Sequence, residues 1–389
     1  MKKLSIKLYI VFYCTMIGLA TGCITPYEPD VEWINDLLVV EGTIIAPYGT
    51  TIHINRTNEG SSSFYDPSLT GKKAIVTLIS DKGTTIATAK NTTGGTYTLT
   101  DSISFKPGEK YAIHFLLDGK EYQSDFVEPQ ITPEIDEVNF QYKEQEEVNI
   151  RVSTHNDAPN GSPYYRWTYK EDWEIRSEYF ASYVWDGEIV ERISHDSPKN
   201  TFYCWKNNSS INFLLGKTEQ MKINKIKDHT LINIPRYDDR LSYLYSVLVR
   251  QYSLDKEAFE YFRNLQKNID EAGGLFAPQP TEIKGNITCL TNPKETVIGY
   301  INASTETTYR LFFNAYKLAG MGDVYNCKET ESVLLKDIGN AYGKGLAILD
   351  LIDDRGGEPI YKCINRRCVD CLSRGGTKDK PDFWPNDHK

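Results

Sequence analysis

Methionine is scarce, at 4 residues, and histidine is hardly commoner, at 6. The histidines are scattered, with no H-x-H or H-E-x-x-H pair to seed a zinc site. No G-x-S-x-G elbow is present, which removes the familiar strand–turn–helix nucleophile. The stretch "GNAYGKGLA" at 339–347 has glycines and a lysine, but no Ser or Thr follows Lys344, so it is not a phosphate-binding loop. Positive charge is in deficit: 44 Lys and Arg stand against 53 Asp and Glu, for a net −9. That balance argues against nucleic acid as a partner, because a phosphate backbone needs a basic footprint. It equally disfavours electrostatic docking on anionic lipid. Internal repeats and low-complexity tracts are missing. Beyond the N-terminus no apolar run is long enough to cross a bilayer. Asp350, Asp353 and Asp354 offer oxygen ligands, but the five-oxygen calcium loop with its glycine is not there, so they read as a solvated loop. No cofactor, metal or catalytic residue is expected.

What is present begins with "MKKLSIKLYIVFYCTMIGLATGC". Lys2, Lys3 and Lys7 form a basic start, an apolar run follows, and small residues lead to Cys23. This is the pattern of an export signal over 1–22 and not of a structural helix. The small residues before Cys23 resemble a bacterial lipobox, with Ala20 where such signals usually carry leucine. The similarity implies a lipid on Cys23, and several acyl chains give a stable anchor at about 0.8 kcal/mol per buried CH₂. Residues 23–36 contain two prolines and four acids and read as an extended tether.

Export bears on the cysteines. Cys14 leaves with the signal and Cys23 takes the lipid, so Cys204, Cys289, Cys327, Cys363, Cys368 and Cys371 remain as disulfide candidates. Six cysteines allow 15 connectivities, and sequence does not choose among them. Parity still constrains. Three of the six fall in "CINRRCVDC" (363–371), so full pairing requires at least one bridge from this tail to the body. A zinc site would need a fourth ligand, and only His388 is near. A redox Cys-x-x-Cys would need a helix after it, which Gly375, Gly376 and Pro381 oppose. A disulfide staple is the favoured reading.

Tyrosine is abundant, at 26 residues, and short alternating segments dominate, which favours strands. "LLVVEGTII" (37–45) and "TTIHINRT" (50–57) flank a turn. Hairpin signals sit at Asp81-Lys82-Gly83 and Asp118-Gly119. The spacing predicts an immunoglobulin-like β-sandwich over 37–130. A β-rich second domain over 131–375 and a tail over 376–389 follow. In "EVNIRVS" Val148, Ile150 and Val152 share one face. One helix is expected near 254–272, N-capped by Ser253, with Phe259, Phe262, Leu265 and Ile269 on its apolar face and Gly273-Gly274 at its end. The stretch at 163–185 is crowded with aromatics and charges. One reading is a ligand-binding wall, with Tyr164, Trp167, Trp173, Tyr179, Tyr183 and Trp185 as contacts. The other is core, because Tyr165, Trp167 and Tyr169 alternate as a buried face does. The fold class is mainly β.

"LLVVEGTI", "YCW" (203–205), the block "EAFEYFRNLQKNIDEAGGLFAPQPTEIKGNI" and the ending "CVDCLSRGGTKDKPDFW" resemble a family of Bacteroidetes outer-membrane lipoproteins known as domain of unknown function 4249. That resemblance implies no activity. It implies a lipid-anchored place at the outer membrane, surface- or periplasm-facing, often beside TonB-dependent transporters. Asp101-Ser102-Ile103 resembles a short O-glycosylation signal, which makes Ser102 a candidate. The expectation is a non-enzymatic protein that captures a small-molecule, peptide or glycan ligand, or serves as accessory or lid to such a transporter. Paired carboxylates would instead make an extracellular hydrolase of glycans or peptides. A structural or adhesive module is the third reading.

Overall fold

Leu38–Ala46 is the strand on which the two halves of the chain meet. Alternate residues Leu38, Val40 and Ile44 are fully buried, as a strand with one core face requires. Its neighbour on one side is Thr51–Arg56, antiparallel; on the other it is Ile301–Asn314, parallel and more than 250 residues later. The computed structural model describes residues 37–57, 74–143, 146–271, 284–318, 327–354 and 356–385.

The resulting ten-stranded sheet runs in the order Tyr203–Ser209, Tyr164–Arg176, Leu244–Leu254, Ile301–Asn314, Leu38–Ala46, Thr51–Arg56, Thr96–Thr98, Lys90–Thr93, with two short strands joined beside this path. A five-stranded sheet covers one half of it. In that sheet Ile75–Ser80, Tyr111–Leu117 and Lys120–Ser124 pair in succession. Its edge is Ile287–Cys289, paired with Lys120–Ser124. The sandwich expected over 37–130 therefore also carries strands from beyond residue 286. Val40, Ile52, Val76, Leu78, Phe115 and Tyr122 fill its core, with the Phe115 and Tyr122 rings stacked at 4.8 Å.

A three-stranded sheet covers the other half: Ile135–Lys143, Glu147–His155 and Lys225–Pro235. Val148, Ile150 and Val152 point into this second core together, against Trp167, Val247 and Val249 of the long sheet. Each such side chain contributes about 1.5–3 kcal/mol by leaving water.

The opposite face of the long sheet is covered twice. The helix Lys256–Glu271 packs Ala258, Phe259 and Phe262 on Tyr164, Leu254 and Tyr300, while Ile269 near its end is exposed. Ser253 is not its cap. Ser253 is a buried residue of the preceding strand, and Asp255 accepts the Ala258 backbone N–H at 2.7 Å instead. Gly273 and Gly274 lie outside the described residues. Farther along the same sheet face lies the C-terminal segment, whose Trp384 is buried. Its indole N–H donates to Glu174 at 3.2 Å, and its ring lies 5.8 Å from that of Phe312.

Described residues from the C-terminal part of the chain form a small lobe. Thr330–Leu334, Ile360–Asn365 and Leu346–Asp353 make its sheet. The hairpin Tyr183–Trp185 with Val190–Arg192 and the short helix Ile338–Gly343 pack on it.

Candidate functional site

The aromatic stretch divides. Trp167 is wholly buried, stacks on Tyr165 at 5.9 Å and donates its indole N–H to Gln251 at 2.8 Å. Trp173 lies in the same core, and Tyr164 lies under the helix. These three expected ligand contacts are core residues here, because the strand carrying them is covered on both faces. Tyr179 is exposed. Tyr183 and Trp185 sit on the hairpin and line a cleft of about 340 Å³.

The cleft is assembled from chain segments far apart in sequence. Trp185 meets Tyr342 edge-on, with ring centroids 5.0 Å apart, and its backbone N–H donates to the Tyr342 hydroxyl at 3.2 Å. Gly339 of the short helix faces the Trp185 ring, where even a Cβ would sit in ordinary van der Waals contact at 3.4 Å. Arg366 lies over the Tyr342 ring at 5.1 Å and donates to the Tyr342 carbonyl at 3.2 Å. Tyr183 packs edge-on against Tyr361 at 5.6 Å.

Charges of both signs rim this aromatic floor: Asp186, Lys199, Arg366 and Asp370. The Asp186 carboxylate accepts the backbone N–H groups of Ile189 and Glu188, each at 3.0 Å, which hold it below the usual carboxylate range. Lys199 pairs with Glu191, which holds its ammonium above the usual lysine range. Burial pushes the Tyr342 hydroxyl up, so it stays protonated. The cleft thus offers ring faces for apolar or C–H surface, with donors and acceptors around them. Among the described residues no three His, Cys, Asp or Glu side chains gather as a metal would require.

Val369 and Asp370 line the cleft, and they are the two residues inside Cys368-x-x-Cys371. Cys368 is bonded to Cys327, and Cys371 to Cys204, each with Cα atoms 5.8 Å apart. The motif is thus neither a dithiol nor a metal clip. It is a piece of cleft wall pinned at both ends to other parts of the molecule. Cys289 and Cys363, also expected in bridges, are free and buried. They lie in different cores, Cys289 in the first sandwich and Cys363 in the small lobe. Burial raises the Cys363 thiol to about 11, which keeps it unreactive.

Other predicted positions fall elsewhere. Ser102 is exposed, beside the buried Ile103. Cys23 and the tether lie outside the described residues. Sequence reading missed Tyr342, Lys199 and Arg366. The available signal was local: Arg366 precedes the Cys-x-x-Cys by two positions, and Tyr342 stands between the glycines of "GNAYGKG".

No curated protein matches this chain. A family model does, over residues 24–310, and the tail with one side of the cleft lies beyond that span. The match covers about three quarters of the sequence, and the chain belongs to the family described as domain of unknown function DUF4249.

Proposed function

We propose that this protein is a non-enzymatic lipoprotein of the outer membrane, anchored through Cys23 and exposed at the cell surface, that captures a ligand for a TonB-dependent transporter. The observation that carries the capture role is the stapled cleft. Its aromatic floor of Tyr183, Trp185 and Tyr342 stands beside a wall segment, Val369-Asp370, that two disulfides pin, and charges of both signs rim it. Pre-formed aromatic clefts bind at low ordering cost. The export pattern, the lipobox-like Cys23 and the acidic tether support the location, and they fit a bacterial lineage of the Bacteroidetes type. In that setting the exposed Ser102 is a glycan acceptor. The ligand is a glycan, a peptide or another small molecule able to lay an apolar face on Trp185.

The test is a glycan and peptide array probed with the mature chain and its Trp185→Ala variant. A hit whose affinity falls about tenfold or more in the variant supports the cleft as the capture site. Hits that ignore the substitution count against it.

A further inference from the structure

A second cavity, of about 230 Å³, opens on the helix-covered face of the long sheet, where the two halves of the chain meet. Its wall carries Glu41 and Thr43 from the joining strand, Arg166 from the neighbouring half, and the rings of Phe213, Phe262 and Tyr300.

Arg166 is the unusual member. Its guanidinium lies between two rings, 4.8 Å from the centre of Phe262 and 5.2 Å from that of Tyr252. Nη2 donates to the Thr43 hydroxyl at 3.3 Å. Nε is enclosed and meets no acceptor. A buried guanidinium normally faces a carboxylate, because desolvating an unpaired charge is costly. Here the carboxylates do not serve. Glu306, on the same face of the sheet, is engaged by Arg250 at 2.8 Å and by the Tyr252 hydroxyl at 2.5 Å. Glu41 is close enough to feel the Arg166 charge but forms no ion pair with it. Burial raises the Glu41 carboxyl and lowers both the His53 imidazole and the Arg166 guanidinium, and of the two basic groups only arginine is basic enough to stay charged when buried. Nearby, the buried hydroxyl of Tyr261 also has no partner.

A donor-rich, ring-walled cavity with one fixed cation selects its ligand. The planar fork of arginine matches a carboxylate through two parallel N–H···O bonds. The single fixed cation balances one negative charge, so a monocarboxylate is matched, whereas the second charge of a phosphate dianion meets no further Lys or Arg among the lining residues. The rings accept an apolar body. We infer that this cavity is a binding site for a small monocarboxylate with an apolar or aromatic body, held by Arg166 and packed against Phe213, Phe262 and Tyr300. The site is separate from the cleft and does not depend on its role.

Calorimetric titration of the mature chain, residues 23–389, with phenylacetate tests this. One saturable site with Kd below about 1 mM is expected. Phenylacetamide, the same shape without the charge, should bind at least about tenfold more weakly, as should phenylacetate to Arg166→Lys. Phe213→Ala, at the wall, should weaken phenylacetate several-fold. If Arg166→Lys does not fold, the acid–amide comparison and Phe213→Ala still decide. No saturable phenylacetate binding, or equal binding of acid and amide, overturns the proposal.

Discussion

Cys371 is bonded to Cys204, 167 residues earlier, and not to Cys368, the nearest thiol in the sequence. Cys368 is bonded to Cys327, 41 residues earlier. Two residues of the cleft wall are therefore fixed between two independent anchors. Cysteine pairing is the device that joins the end of the chain to the site.

Mapping of this pairing by alkylation should find Cys204, Cys327, Cys368 and Cys371 protected without reductant. Cys289 and Cys363 should label only after denaturation. In the chain-entropy view each bridge contributes about 4–5 kcal/mol for loops of these lengths. Denaturation of Cys371→Ser should show a loss of that order. A Cys368–Cys371 bridge in the peptide map would refute the assignment.

The Trp384 contact should matter to stability although it lies near the chain end. Glu174 is fully buried and receives the Trp384 indole N–H together with the Arg176 Nε–H at 2.7 Å. Trp384→Ala should cost about 3–5 kcal/mol, as buried tryptophans do. Trp384→Phe keeps most of the packing and removes the donor, for about 1–3 kcal/mol. Chemical denaturation of the two variants checks both, and a variant as stable as the parent would show that the tail does not brace the sheet.

Glu147 sets an acid sensitivity. Its carboxyl is held at about 2, first by the hydrogen bond from Lys143 and then by those from Asn149 and Asn233. The folded value lies below the ordinary 4.5. The contribution is therefore present above pH 4.5 and is lost as pH falls from there through 2. The thermal midpoint of Glu147→Gln should depend less steeply on pH across that window than the parent's. Identical slopes would contradict the assignment.

Asp255 should be replaceable only at a cost. It caps the helix that covers both Arg166 and Tyr164, so Asp255→Ala should lose about 1 kcal/mol. Ser253→Ala should lose less, because its hydroxyl has no partner. Urea midpoints of the two variants decide which residue is the cap.

Features settled by neighbouring residues could be read from the sequence. The hairpin at Asp118-Gly119 follows from two residues that tolerate positive φ, here 52° and 75°. The apolar face of the helix follows from its period, and Val148, Ile150 and Val152 from theirs. The cap was missed because Ser253 and Asp255 both suit an N-cap by type, and only the length of the preceding strand separates them. The parallel pairing of Leu38–Ala46 with Ile301–Asn314 left no local trace, since nothing near either strand encodes a partner so distant. The same limit hid the cleft. Trp167 stands in the alternation Tyr165, Trp167, Tyr169 that marks a buried face, whereas Trp185 lies on a three-residue strand at a lobe, too short for any period to show what it faces. The disulfides were legible as a link from tail to body, but not as a particular pairing.

Capture for a transporter is tested most directly by recovering the lipidated, tagged protein from its native outer membrane in mild detergent. Mass spectrometry of the eluate then identifies what accompanies it. A TonB-dependent β-barrel in near-stoichiometric amount is the expected companion. Recovery of the protein alone, across growth conditions, would contradict capture for a transporter.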